Sequence, residues 1–298
     1  MKKRNVLTIA LLFFVLICAY AVPSKALVLD FYDNVAAPPG FYSLLYLNYV
    51  DQPKLVDNAG RNIQGGPGGD QDYDLSAEIA ILRPVYYFKG LGMLWAFNAI
   101  VPYGKVQARD LATGDKESST GLGDINIGPA VFLYQNDKTM TYVSFWEFVS
   151  LPTGDYSKDR ARASGANMGY NHVFLEHELA FSTSFVENSK VSYDMNINYF
   201  THFNGPDIHP ADVLECEGIL GYGITSSLRA GIYATYWAEL EKAKMFGVEY
   251  DKRTFFSVGP SIAYSKEKWG VNFRWVEDVM AKNGPEGRQF FLRFNYSF

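Results

Sequence analysis

The chain has 298 residues, with 32 acidic against 27 basic side chains and a formal charge of −5, a balance that argues against nucleic acid as a partner. Its two cysteines, Cys18 and Cys216, supply neither a disulfide framework nor a cysteine metal site. Aromatic residues make up 16% of the sequence although the mean hydropathy is near zero, as expected where apolar and polar residues alternate.

Lys2, Lys3 and Arg4 precede an apolar stretch from Val6 to Val22, and small residues Ser24 and Ala26 follow. This is the layout of a secretory signal peptide over residues 1–26. Its removal takes away Lys2, Lys3, Arg4 and Lys25 but no acid, moving the charge from −5 to about −9. Residues 27–40 read as a periplasmic or lumen-plugging segment, and 41–298 as one β-domain. Helical periodicity is absent after residue 26.

Period-two alternation then predicts about twelve strands: 41–50, 73–87, 91–103, 123–134, 140–151, 171–186, 191–203, 212–224, 228–240, 253–265, 269–279 and 287–298. In the second, Tyr73, Leu75, Ala77, Ile79, Ile81, Val85 and Tyr87 share an apolar face broken only by Arg83, opposite Asp72, Asp74, Ser76 and Glu78. In the last, Phe290, Leu292, Phe294, Tyr296 and Phe298 oppose Gln289, Phe291, Arg293, Asn295 and Ser297. Short turns, such as Lys89-Gly90 and Thr225-Ser226, alternate with long loops at 51–71, 104–122, 152–170, 204–211, 241–252 and 280–286. An even number of strands with this alternation predicts an all-β fold, an antiparallel transmembrane barrel of the outer-membrane type with both ends in the periplasm. Outward aromatics are expected at the periplasmic rim (Tyr87, Tyr142, Tyr193, Tyr222, Tyr264, Trp269, Tyr296) and at the opposite rim (Tyr73, Tyr103, Tyr236). A soluble sandwich would alternate too, but with a charged coat outside. Outer-membrane lipid is thus one expected partner. The barrel-assembly machinery is another, since a terminal Phe298 on an alternating strand resembles its recognition signal.

By the same parity, the lumen is lined by Glu78, Glu147, Glu176, Glu178, Asp194, Asn196, Asn198, Glu215, Glu217 and Glu239, with Arg229, Arg274 and Arg293 on another wall. Such side chains either form ladders that stiffen the barrel or a polarised constriction that filters a solute. No cofactor is implied. Asp70, Asp72 and Asp74 do not complete a calcium loop, because Leu75 and Ile81 stand where Gly and Glu are needed. His172 and His177 lie five apart, a poor spacing for a metal pair, and rim or loop positions are expected for all four histidines. No Gly-x-Ser-x-Gly motif occurs.

Three landmarks, APPGFYSLLYLNYV (37–50), GLGDINIGPAVF (121–132) and LPTGDYS (151–157), resemble in order and spacing the family named for the meta-pathway of phenol degradation. The resemblance implies an outer-membrane barrel that carries small hydrophobic or aromatic solutes, and no enzyme. The residues alone leave open a barrel hydrolase, or an adhesive barrel acting through its long loops.

Overall fold

The computed structural model describes residues 29–63, 73–110, 113–205 and 207–297. The signal-peptide reading of residues 1–26 and the role expected for Phe298 lie outside them, as do Asp70 and Asp72.

The strands are β1 (Gly40–Val56), β2 (Leu75–Gly90), β3 (Met93–Arg109), β4 (Lys116–Leu122), β5 (Ile125–Asn136), β6 (Thr141–Leu151), β7 (Phe174–Thr183), β8 (Val191–His202), β9 (Ile208–His209), β10 (Val213–Gly223), β11 (Leu228–Glu239), β12 (Ala243–Met245), β13 (Val248–Tyr250), β14 (Thr254–Lys266), β15 (Trp269–Lys282) and β16 (Gly284–Ser297). β4 and β5 are two halves of one barrel strand, since both pair with β3, at Tyr103↔Leu122 and Ile100↔Asn126. Between them Gly123, Asp124 and Ile125 face only Val101 and Pro102, a bulge that bends the strand. Asp124 fixes the bend by accepting from the backbone N–H of Gly154 (2.8 Å) and Tyr170 (2.7 Å). Counted this way, twelve antiparallel strands form a closed barrel, with β16 pairing β1 from Tyr42↔Ser297 to Val56↔Gly284. Closure leaves no unpaired sheet edge, the condition for backbone polar groups to cross hydrocarbon.

The outside is greasy. Leu45, Leu47, Phe97, Ile232, Phe273 and Phe294 are exposed there. Tyr222, Tyr264, Trp269 and Tyr296 are exposed at the short-turn end, and Tyr103 and Tyr236 near the other. Such rings suit headgroup depth.

Two strands are turned over relative to the parity expected above. In β2, Leu75, Ala77, Val85 and Tyr87 point inward and are buried, as is Tyr73 just before the strand, while Glu78 is exposed outside. In β6, Tyr142 lies inside, with Ser144, Trp146 and Phe148, and Glu147 lies outside. The reason is that β2 is apolar on both faces. Ala80, Leu82, Tyr86 and Phe88 serve the lipid side as well as Ile79, Ile81 and Val85 would. Arg83 then decides, because a guanidinium facing acyl chains costs a few kcal/mol, on the order of 2–4. It turns inward, against the Tyr46 hydroxyl and 5.5 Å from the Trp146 ring. A one-residue slip in parity moves every other side chain of the strand with it.

Several predicted loops are ordered. β3 and β4 form a polar hairpin over most of 104–122, and β15 reaches β16 through a tight turn at Asn283, whose φ is +53°. Segment 152–170 contains a six-residue helix, α1 (Lys158–Ala163), capped by Ser157. β9, β12 and β13 form a small sheet over the long-loop end.

Close strand packing makes some positions intolerant of any side chain. A Cβ on Gly259 would lie 1.7 Å from the Trp275 carbonyl oxygen. Gly259→Ala is expected to destabilise the barrel by about 3 kcal/mol or more, as an overpacked core does. The shift in urea midpoint for refolding into vesicles measures it.

Candidate functional site

Residues 29–37 lie inside the barrel, held by the lumen wall along their length. The Leu29 carbonyl accepts from Arg274 Nη1. Asp30, 1% exposed, meets Arg293 Nε at 3.0 Å, and Asp33 accepts from Arg293 Nη1. The Tyr32 N–H donates to Asp194 Oδ2 (3.0 Å), and Arg229 donates to the Tyr32 hydroxyl (2.8 Å) while lying 4.5 Å over its ring. The Asn34 amide donates to Asn196 Oδ1 (2.7 Å) and to the Phe181 carbonyl (3.0 Å). Phe31 fits a niche that exists only because Gly221 and Gly231 lack side chains. A Cβ on either would stand 2.7 Å from its ring carbons.

Five of the lumen residues expected from the sequence, Asp194, Asn196, Arg229, Arg274 and Arg293, therefore grip the chain's own N-terminal segment. The grip matches charge to charge, with one buried and one half-buried carboxylate on one guanidinium.

A buried polar belt continues toward the long-loop end. Glu217 accepts from the Tyr233 hydroxyl, Glu215 Oε1 from Thr235 (3.4 Å), and Glu178 Oε2 from the Asn196 amide (3.1 Å). Glu176 and Asn198 are buried beside them, and the Arg274 guanidinium lies 4.0 Å over the Tyr233 ring. Glu239 sits at the long-loop end, bound to Arg253 through backbone N–H (2.7 Å) and Nε (3.0 Å). Neither a charge ladder nor an open ring describes this wall. It is a filled belt in which tyrosines and amides sit between the charged groups. Arg83, Tyr46, Trp146 and Tyr233 belong to it and were not anticipated. The signal for Arg83 was its break of an otherwise apolar face.

Glu78 and Glu147 lie outside the lumen, contrary to expectation. Glu78 stands opposite Lys105 on β3. Glu147 Oε2 is 2.7 Å from His177 Nδ1, and His177 Nε2 is 3.3 Å from Thr201 Oγ1. Both acids lie near the long-loop ends of their strands, where headgroups solvate charge. Among the described residues no group of three or more His, Cys, Asp or Glu is placed to hold a metal ion.

Below the segment, a cavity of about 420 Å³ reaches toward the short-turn end. Tyr42, Tyr87 and Trp146 give it an aromatic wall, with Val85 between them. Phe31, Tyr32, Asp33 and Asn34 of the N-terminal segment border it, with Arg83 and Glu178 alongside.

Among curated proteins none matches by sequence. Among solved structures, the barrel is similar to an outer membrane channel from Pseudomonas putida F1, with a TM-score of 0.78, 16% identity, and coverage of 91% of this chain and 100% of that one. It is less similar to the β-domain of the Bordetella autotransporter BrkA, at a TM-score of 0.49 and 10% identity over 87% of this chain and 100% of that one. The first likeness supports an outer-membrane barrel fold. The family model described as "Putative MetA-pathway of phenol degradation" matches residues 54–294, and the chain belongs to that family.

Proposed function

We propose that this protein is a passive channel of the Gram-negative outer membrane for small hydrophobic or aromatic molecules. It reaches that membrane as a secreted precursor that loses residues 1–26, and the assembly machinery reads its final strand. The observation that carries the reading is the aromatic-walled cavity inside a closed barrel, bordered by a segment held without covalent bonds. An aromatic wall suits a flat apolar solute, and weak contacts allow its release. The family description, with its reference to phenol degradation, supports the solute class. Passage follows the solute gradient, and the N-terminal segment held in the lumen disfavours free flow of ions.

Vesicles containing the full chain are expected to take up a small aromatic solute faster than empty vesicles, with low ionic conductance in planar bilayers. Solute influx equal to that of empty vesicles, together with no conductance, would overturn the reading.

The Glu147–His177–Thr201 row on the lipid face favours a second reading, a lipid-ester hydrolase, because it orders acid, base and hydroxyl in sequence. A lipid-ester assay separates the two. The channel reading expects no turnover that His177→Ala or Thr201→Ala removes.

A further inference from the structure

A second cavity, separate from the N-terminal segment, lies at the long-loop end under the small sheet of β9, β12 and β13. Phe174, Phe200 and Trp237 form its aromatic wall, Met245 comes from the sheet above, and His172 and His202 share its surface. The His202 ring is 5.0 Å from Phe174 and 5.1 Å from His172, centroid to centroid.

The hydrogen bonds of the two imidazoles determine where their protons sit. His172 Nδ1 is 3.0 Å from the Tyr170 carbonyl oxygen, which can only accept, so Nδ1 carries a proton. Burial pushes the His172 pKa below the ordinary imidazole value, so at neutral pH the ring is uncharged and its Nε2 is a bare acceptor. The partner 2.9 Å away, His202 Nδ1, must then be the donor. A neutral His202 is left with a bare lone pair on Nε2. Two imidazoles in hydrogen-bond contact do not both charge, and partial burial beside His172 disfavours a cation on His202 more than the nearby Asp212 carboxylate, which accepts from the His202 backbone N–H at 3.0 Å, favours one. Among the described residues no group donates to His202 Nε2.

We propose that this cavity binds a flat aromatic molecule carrying one hydrogen-bond donor, an aryl hydroxyl, with the ring against Phe174, Phe200 and Trp237 and the hydroxyl donating to His202 Nε2. The aromatic wall supplies affinity for any small ring. The unmatched acceptor supplies selectivity, because a ring without a donor leaves it unsatisfied. As a capture site at the extracellular mouth it deepens the channel reading and rests on it for its role, but not for binding itself.

The test is calorimetric titration of the full chain in nanodiscs with phenol and with anisole, which keeps the ring and oxygen but lacks the donor. Empty nanodiscs correct for partition into lipid. Phenol is expected to bind about five- to tenfold more tightly than anisole. His202→Phe is expected to erase the difference while ring binding persists, and His202→Gln, which restores an acceptor, to recover part of it. Equal affinities in the unaltered protein, a preference that survives in His202→Phe, or no binding of phenol would each overturn the site. Binding without solute influx into vesicles sinks the channel reading and leaves the site standing. Influx without binding does the reverse.

Discussion

A variant lacking residues 29–36 is expected to conduct ions several-fold better than the full chain in planar bilayers, with its barrel intact. The segment fills lumen space without being part of the wall. Its removal deletes Phe31 from the Gly221–Gly231 niche and clears Tyr32 and Asn34 from Asp194, Arg229 and Asn196. No strand pairing depends on it, since β1 begins at Gly40. The wall residues it releases are polar and become hydrated, so the barrel keeps its fold. Single-channel recording beside the heat-shifted gel mobility of a folded barrel separates a wider lumen from a damaged one. An unchanged conductance in the truncated form would mean that the polar belt beyond the segment is the barrier.

The second large effect is expected at Arg293. Its guanidinium faces Asp30 and Asp33 together, and both carboxylates are sheltered from water. Arg293→Leu would strand two negative charges in the lumen. Breaking a buried pair in this way costs about 3–5 kcal/mol. The barrel need not bear that cost, because residues 29–36 can leave and hydrate both acids. The loss is therefore expected as detachment of the segment, seen as new protease cleavage near residues 29–39 and raised conductance, with little change in the urea midpoint of the barrel. Replacing Asp30 and Asp33 by Asn in the same chain is expected to restore part of the docking, since the stranded charges are then gone. A large drop in barrel stability with the segment still protected would contradict this.

Strands β7, β8, β10 and β11 were legible because one face of each carries polar groups at alternate positions. Glu176 and Glu178, Asp194, Asn196 and Asn198, and Glu215 and Glu217 all point inward as the alternation requires. β2 and β6 were not legible by the same rule. Their inner faces carry large apolar side chains, Val85 and Tyr87 in β2 and Tyr142, Trp146 and Phe148 in β6, which pack into one buried cluster inside the barrel. With two apolar faces, hydrophobicity does not fix which way a strand faces, and in β2 the single residue Arg83 does. The bulge at Gly123–Ile125 was also hidden, since an inserted residue leaves no trace in composition. The grip on residues 29–37 could not be read either. Asp30, Asp33 and Asn34 stand in a stretch without periodicity, and their partners lie about 160 to 260 positions away, as with Asn34 and Asn196 or Asp33 and Arg293. The predicted lumen residues were thus placed by local alternation, while their docking role depends on long-range contacts that alternation does not encode.

The most direct test of a lumen closed by its own N-terminal segment is to tie that segment down. A chain with Asn34→Cys and Asn196→Cys, and with Cys18→Ser and Cys216→Ser to leave no other thiol, places two cysteines at positions whose side-chain amides now meet at 2.7 Å, and a short bis-methanethiosulfonate reagent bridges them through reducible disulfide bonds. Influx of a small aromatic solute into vesicles is measured with the bridge formed and again after reduction in the same preparation. Influx that stops when the bridge forms and returns on reduction is the expected result. Influx that is the same in both states would contradict the account, because the solute would then be passing without any movement of the segment.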